Sequence, residues 1–171
     1  MGPVSSEIEI DVPRERVFAV LGDLAARPSF TDHFLTDFHL TRLESSGVGA
    51  GARFRVKQPL RKVWMDSAIV SQEEPFQIVE EGGGGRVNRI RTHTVWEITG
   101  GSGSLSRVRV SHWTEPTHLD RALEVLSGAS FWQERGWREA LRRLRENLES
   151  DRPAAERIAV AGGNRYATGV P

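Results

Sequence analysis

Two threonines, a histidine and two carboxylates mark the positions where this sequence could hold or move a proton. In the stretch THTVWEI, residues 92–98, a strand places Thr92, Thr94, Trp96 and Ile98 on one face and His93, Val95 and Glu97 on the other, because side chains alternate across the pleat. The more apolar face therefore carries two hydroxyls. The next apolar run, Leu105–Trp113, follows the turn-rich Gly100–Ser104. A hairpin closed there pairs residues whose numbers sum to about 204, which sets Trp96 opposite Val108, Thr94 opposite Val110 and Thr92 opposite His112. His112 is thus expected on the inner face, either as a hydrogen-bonding or acid–base group in a cavity or as a buried histidine held by a threonine hydroxyl; an imidazole exchanges protons near neutrality.

Other candidates follow from the same alternation. In Val63–Ser71, Trp64, Asp66, Ala68 and Val70 share a face, and Glu80 is in phase with Ile78. A carboxylate turned inward must pair, take up a proton or meet water or ligand, because a buried unpaired charge is expensive. Trp64, Trp96, Phe131 and Trp132 can stack on a planar ligand or simply fill a core. The small residues Ser127, Gly128, Ala129 and Ser130 leave room beside a helix for a ligand, or mark a kink or a close helix–sheet contact. With no cysteine, thiol nucleophiles, zinc–thiolate sites and iron–sulfur clusters are excluded. His33, His39, His93, His112 and His118 show no ligand spacing, so neither a metal site nor a cofactor is expected. There is no GxSxG elbow, HExxH motif or phosphate-binding loop, and the four-glycine run Gly82–Gly85 leads into another strand and is expected to be a turn.

The elements that must position these residues are legible in the pattern. Ile8, Ile10 and Val12 alternate with Glu7, Glu9 and Asp11 as in a half-buried strand, and Pro13 starts a helix carrying Val17, Phe18, Val20 and Leu21. A short, broken segment follows with Phe30 and Phe34. Six strand-like runs come next: Asp37–Leu43, Ala52–Gln58, Val63–Ser71, Gln77–Glu81, Arg89–Thr99 and Leu105–Trp113, separated by segments rich in Gly, Pro or Ser. After Pro116 the period becomes helical, with Leu119, Leu123, Leu126, Ser130, Gln133, Trp137, Leu141, Leu144 and Leu148 in one stripe. That predicts a helix of about 30 residues, roughly 45 Å long. Residues 1–150 are expected to form a single domain and residues 151–171 a tail, whose Ile158, Val160 and Tyr166 could dock on a surface or on a second copy of the chain as a homodimer.

Bulk properties bound the function. The 171 residues suffice for one domain with a real core, and 23 Lys+Arg against 23 Asp+Glu leave no net charge to steer the chain to nucleic acid or anionic lipid. The arginines of the last helix are interleaved with Glu134, Glu139 and Glu146, as on a solvated face. No stretch has the ~20 apolar residues of a membrane span. MGPVSSEIEI lacks a basic start and an apolar run, so no secretory signal is expected and the expected compartment is the cytoplasm.

Four segments, IEIDVPRERVFAVLGDLAARPSF, GVGAGARFRV, AIVSQEEPFQIVEE and THTVWEITGGSGSLSRVRVSHWTEP, resemble the START-like (SRPBCC) superfamily of polyketide cyclase/dehydrase-type proteins, lipid-transfer domains and relatives of the birch-pollen allergen, over about residues 4–150. The resemblance implies an α+β helix-grip fold: a curved antiparallel sheet of about seven strands wrapped around a long C-terminal helix, with two short helices after the first strand. It also implies a cavity between sheet and helix, and it places the Val70 position inward, which would turn Asp66 and Trp64 inward too. The expected ligand is a small, largely hydrophobic molecule, lined by Trp64, Glu80, Thr92, Thr94, Trp96, Ser127, Ser130 and Phe131, with His112 and Asp66 as the groups able to move protons. Three readings stay open: cyclisation or dehydration of that ligand, carriage or sensing without turnover, and an interaction module similar to activators of the Hsp90 ATPase.

Overall fold

In a computed structural model, the structure describes residues 3–57, 62–85, 89–100, 104–115 and 128–150. Strand β1 (Val4–Asp11) is followed by helices α1 (Arg14–Gly22) and α2 (Pro28–Thr31). Then come β2 (Leu35–Leu40), β3 (Gly51–Lys57), β4 (Lys62–Glu73), β5 (Gln77–Gly84), β6 (Ile90–Gly100) and β7 (Leu105–Glu115), and the chain closes on α3 (Ala129–Glu149). The strands form one curled antiparallel sheet in the order β1-β7-β6-β5-β4-β3-β2. From β2 to β7 each strand pairs with the next in sequence, and β1 joins the far side of β7, at the opposite edge from β2. This is the helix-grip architecture, including the two short helices after β1.

The sheet's concave face and α3 bury each other. Gln133, Trp137, Leu141, Leu144 and Leu148 form the buried stripe of α3, at the three- and four-residue spacing of an amphipathic helix. Its 21 residues span about 32 Å; the expected N-terminal extension through Leu119, Leu123 and Leu126, with Ser127, lies outside the described residues, as does the 151–171 tail. Gly128 stands at the N-cap with φ +60°, a left-handed conformation that favours glycine. Trp96 from β6 meets Trp137 edge to face, 5.5 Å between ring centres, and joins sheet to helix at the middle of the core.

Three sequence expectations change. Gly82–Gly84 are not a turn: they are the last residues of β5, opposite Ser67, Asp66 and Met65 of β4. A Cβ at Gly82 would stand 1.8 Å from the Asp66 carbonyl oxygen, so the strands approach too closely for any side chain there. The β6–β7 hairpin is shifted by two residues, so that Thr94 faces His112, Trp96 faces Val110 and Thr92 faces Thr114. Gly100 pairs with Ser106, and an even shift leaves every side chain on its face.

The third change concerns β4. Val63, Met65 and Ile69 are its buried residues and Val70 is 42% exposed, so Asp66 and Trp64 point outward, not into the cavity. Between Ile69 and Ser71 the ladder with β5 is irregular, leaving Val70 without a partner. The alternation holds along Val63–Val70, so it is the inward placement of the Val70 position that fails: the apolar Val63, Met65 and Ile69 take the inner face, and Trp64, Asp66 and Val70 share the outer one.

Candidate functional site

One row of residues crosses the inner face of three strands. Glu80 of β5 lies opposite Thr94 of β6, which lies opposite His112 of β7. All three are buried polar residues, with Thr92 one position along the same face. Buried polar groups persist when their hydrogen bonds are met, and here the partners are specific.

Glu80 is the hub. Its Oε1 accepts from Arg27 Nη2 at 2.6 Å and from Trp96 Nε1 at 2.8 Å, and its Oε2 accepts from Ser67 Oγ at 3.0 Å. Arg27, on the segment between α1 and α2, also donates to the Leu21 carbonyl at 3.0 Å, and its guanidinium lies 4.8 Å from the centre of the Trp96 ring. The side chains of Arg27 and Glu80 are only 3% and 5% exposed. A carboxylate at such depth needs a cation and hydrogen bonds to both oxygens, and Arg27, Trp96 and Ser67 supply them. Arg27 Nε has no hydrogen-bond partner among the described residues.

His112 stands at the other end of the row. Its Nδ1 and the Thr94 hydroxyl are 2.9 Å apart, and its ring lies 5.7 Å from that of Trp137. Burial lowers its pKa to about 4, the Glu80 charge acting weakly in the opposite direction and that of His93 adding to the lowering. At pH 7 His112 is therefore neutral, a hydrogen-bonding group and a weak base.

These groups line an enclosed cavity between sheet and α3. Its polar wall is Ser67, Glu80, Thr92, Thr94, His112 and Gln133; its apolar wall comes from Leu24, Phe34, Phe38, Phe54, Met65 and Trp137, among others. The open volume is only about 30 Å³, room for a water or two and not for a molecule of ten carbons. Gln133 Oε1 is buried without a partner among the described residues. On the other side of α3's first turns lies an open groove of about 990 Å³, lined by His33, Phe34, Lys57, Trp132, Arg135 and Gly136 with neighbouring residues of β1 and α3.

The structure thus brings together five of the sequence candidates, Glu80, Thr92, Thr94, Trp96 and His112, and sets four apart. Asp66 lies on the convex face with Arg53 Nε 3.4 Å away, its side chain 35% exposed. Trp64 is beside it under the guanidinium of Arg55, 4.4 Å from the ring centre. Ser130 and Phe131 face solvent in the first turn of α3, Phe131 at 63% exposure, because the buried stripe there begins with Ala129 and Gln133. Ser127 lies outside the described residues. Sequence reasoning missed Arg27, Ser67 and Gln133. The signal for Arg27 was Glu80 itself, since a carboxylate in phase with a core isoleucine requires a buried cation. No group of three or more His, Asp or Glu among the described residues could hold a metal ion.

The sequence matches a family model described as polyketide cyclase / dehydrase and lipid transport over residues 1–149. Among solved structures it is similar to the KanY protein, at 18% identity and TM-score 0.71, covering 87% of this chain and 99% of that one. It is similar to TTHA0849 from Thermus thermophilus at 18% identity and TM-score 0.67, covering 88% and 99%. A START superfamily protein from Mycobacterium smegmatis aligns at 12% identity and TM-score 0.64, covering 88% and 99%. No curated protein matches the sequence significantly.

Proposed function

Because the chain belongs to the polyketide cyclase/dehydrase and lipid-transport family, a family whose fold builds a ligand-binding hydrophobic cavity, we propose that it is a cytoplasmic carrier or sensor, residues 1–150 forming its domain. It takes up a small, largely apolar molecule bearing an oxygen function, and holds it between sheet and α3 without turnover. The observation that carries this reading is the state of the polar row. Glu80 is fully engaged by Arg27, Trp96 and Ser67, and His112, pushed down to about pKa 4 by burial, is neutral. The cavity therefore offers hydrogen bonds from Thr92, Thr94 and His112 inside an apolar wall. Proton transfer, which cyclisation or dehydration needs, would rest on His112 alone, a weak base at pH 7.

A thermal-shift screen of apolar alcohols, ketones and phenols tests this. A ligand at a hundred times its Kd stabilises by about 2.7 kcal/mol, or roughly 5–10 °C for a chain of this size. Ala52→Leu, which fills the cavity from a residue lining it, should abolish the shift. A shift that survives this substitution would place the ligand elsewhere. His112→Leu should leave uptake of purely apolar compounds intact, whereas an enzyme would lose rate far more than affinity.

The small open volume also favours a second reading, an interaction module. Phe131 and Trp132 stand exposed at 63% and 44%, edge to face 5.9 Å apart. That reading predicts a blank ligand screen.

A further inference from the structure

The enclosed cavity and the outer groove have one lining residue in common, Phe34. Its ring is buried, stacked edge to face on Trp137 at 5.1 Å and tilted against His33 at 4.9 Å. It leans into a notch in α3 made by Gly136: a Cβ there would lie 2.7 Å from Phe34 Cδ2 and 2.9 Å from Cγ. The backbone around the ring is pinned. Phe34 N–H donates to the Thr31 carbonyl at 3.0 Å, and the Phe34 carbonyl accepts from Lys57 N–H at 2.9 Å. α2 is held to α3 by Arg143 to Asp32 at 2.5 Å, by Asn147 to the Ser29 carbonyl at 3.1 Å and by His33 Nε2 with the Gly136 carbonyl at 3.1 Å. With main chain and neighbours fixed, the torsions of the Phe34 side chain are the freedom left at the partition.

We propose that Phe34 sets which ligands enter: its ring, seated in the Gly136 notch, closes the polar cavity, and its rotation joins that cavity to the groove as one site. The inference rests on the ligand-binding reading above and removes its main difficulty. The closed volume takes only water, whereas the joined site takes an elongated apolar molecule. Its oxygen end meets Thr94 and His112, and its body passes over Gly136 toward Trp132. The groove wall carries Lys57, Arg135, Arg138 and Arg142 against Glu7 and Glu139, and this excess of positive charge favours an uncharged or anionic distal end over a cationic one. Polar selectivity thus sits at one end of the site and the size limit at Phe34.

The test is stopped-flow association of the apolar fluorophore N-phenylnaphthylamine with the full chain. In the wild type, entry should reach a plateau rate as probe concentration rises, because opening of the ring limits it. Minor open states are commonly populated at 0.1–10%, so Phe34→Ala should raise that plateau at least about tenfold. Phe34→Leu, which keeps the packing should the alanine variant unfold, should raise it by a smaller factor. Met65→Ala enlarges the cavity from a residue that does not line the groove, so it should tighten binding and leave the plateau unchanged. Binding with the same plateau in wild type and both Phe34 variants would overturn the gate and leave the ligand-binding reading standing. Absence of probe binding in every folded variant would overturn both.

Discussion

The chain builds the same chemical triad twice, an arginine over a tryptophan beside a carboxylate, on opposite faces of one sheet. Inside, Arg27 lies 4.8 Å from the Trp96 ring and 2.6 Å from Glu80, almost without exposure. Outside, Arg53 lies 5.4 Å from the Trp64 ring and 3.4 Å from Asp66, with arginine and aspartate 48% and 35% exposed. Residue types coincide and the ring distances differ little, while the ion pair is the closer inside, 2.6 Å against 3.4 Å; the larger difference lies in the surroundings. Water screens the outer pair and would readily replace either partner. The inner pair has no such substitute, so each partner makes the other necessary, and the polar floor of the cavity is fixed in place as a result.

The sharpest way to break this contrast is Arg27→Met, which leaves Glu80 buried without its cation. It should cost about 3–5 kcal/mol, or roughly 10 °C in Tm, by chemical and thermal denaturation. Arg27→Met combined with Glu80→Met should recover most of that loss. A small effect of the single change would mean that water reaches the pair. Acid comes next. His112 has a folded pKa near 4 against an ordinary 6.5, so the unfolded chain takes up the proton first as pH falls. Its contribution to stability is complete above about pH 6.5, declines through the window down to about pH 4, and amounts to roughly 3 kcal/mol over that window. His33, also lowered mainly by burial, adds in the same direction. Denaturation midpoints across that range should flatten in His112→Asn and retain only a shallower slope.

Gly82→Ala tests the narrow passage between β4 and β5. With its Cβ forced onto the Asp66 carbonyl, it should cost about 1–3 kcal/mol; a neutral result would show that the strands can part. The smallest effect is expected outside, where Asp66→Asn should cost under about 1 kcal/mol, and less in high salt. A loss comparable to that of Arg27→Met would erase the distinction between the faces.

Which face is which was readable in some strands and not in others, for physical reasons. In β6 the alternation is uninterrupted from Ile90 to Ile98, so THTVWEI alone turns Thr92, Thr94 and Trp96 inward. His112 survives an error in the turn because the shift was even. In β4 the alternation also holds, but both faces of VWMDSAIVS carry large apolar residues, so the pattern does not say which face is inner; Val63, Met65 and Ile69 take it, and Trp64, Asp66 and Val70 lie outside together. The glycine run looked like a turn because its composition suits one, whereas the close approach of the Asp66 backbone requires glycine in a strand. Helix-grip order, the buried stripe of α3 and the two short helices were legible from periodicity and resemblance. Arg27 was not, since nothing local tells an arginine between two helices that its partner lies fifty-three positions away.

The most direct test of a ligand held between sheet and α3 is an NMR titration of the tryptophan indole and histidine ring resonances with N-phenylnaphthylamine. Occupancy of the cavity should move the signals of Trp137 and His112 together, both of which line it, and leave Trp64 on the convex face unmoved. Shifts confined to Trp132 or Trp64, with Trp137 and His112 unchanged at saturation, would contradict it.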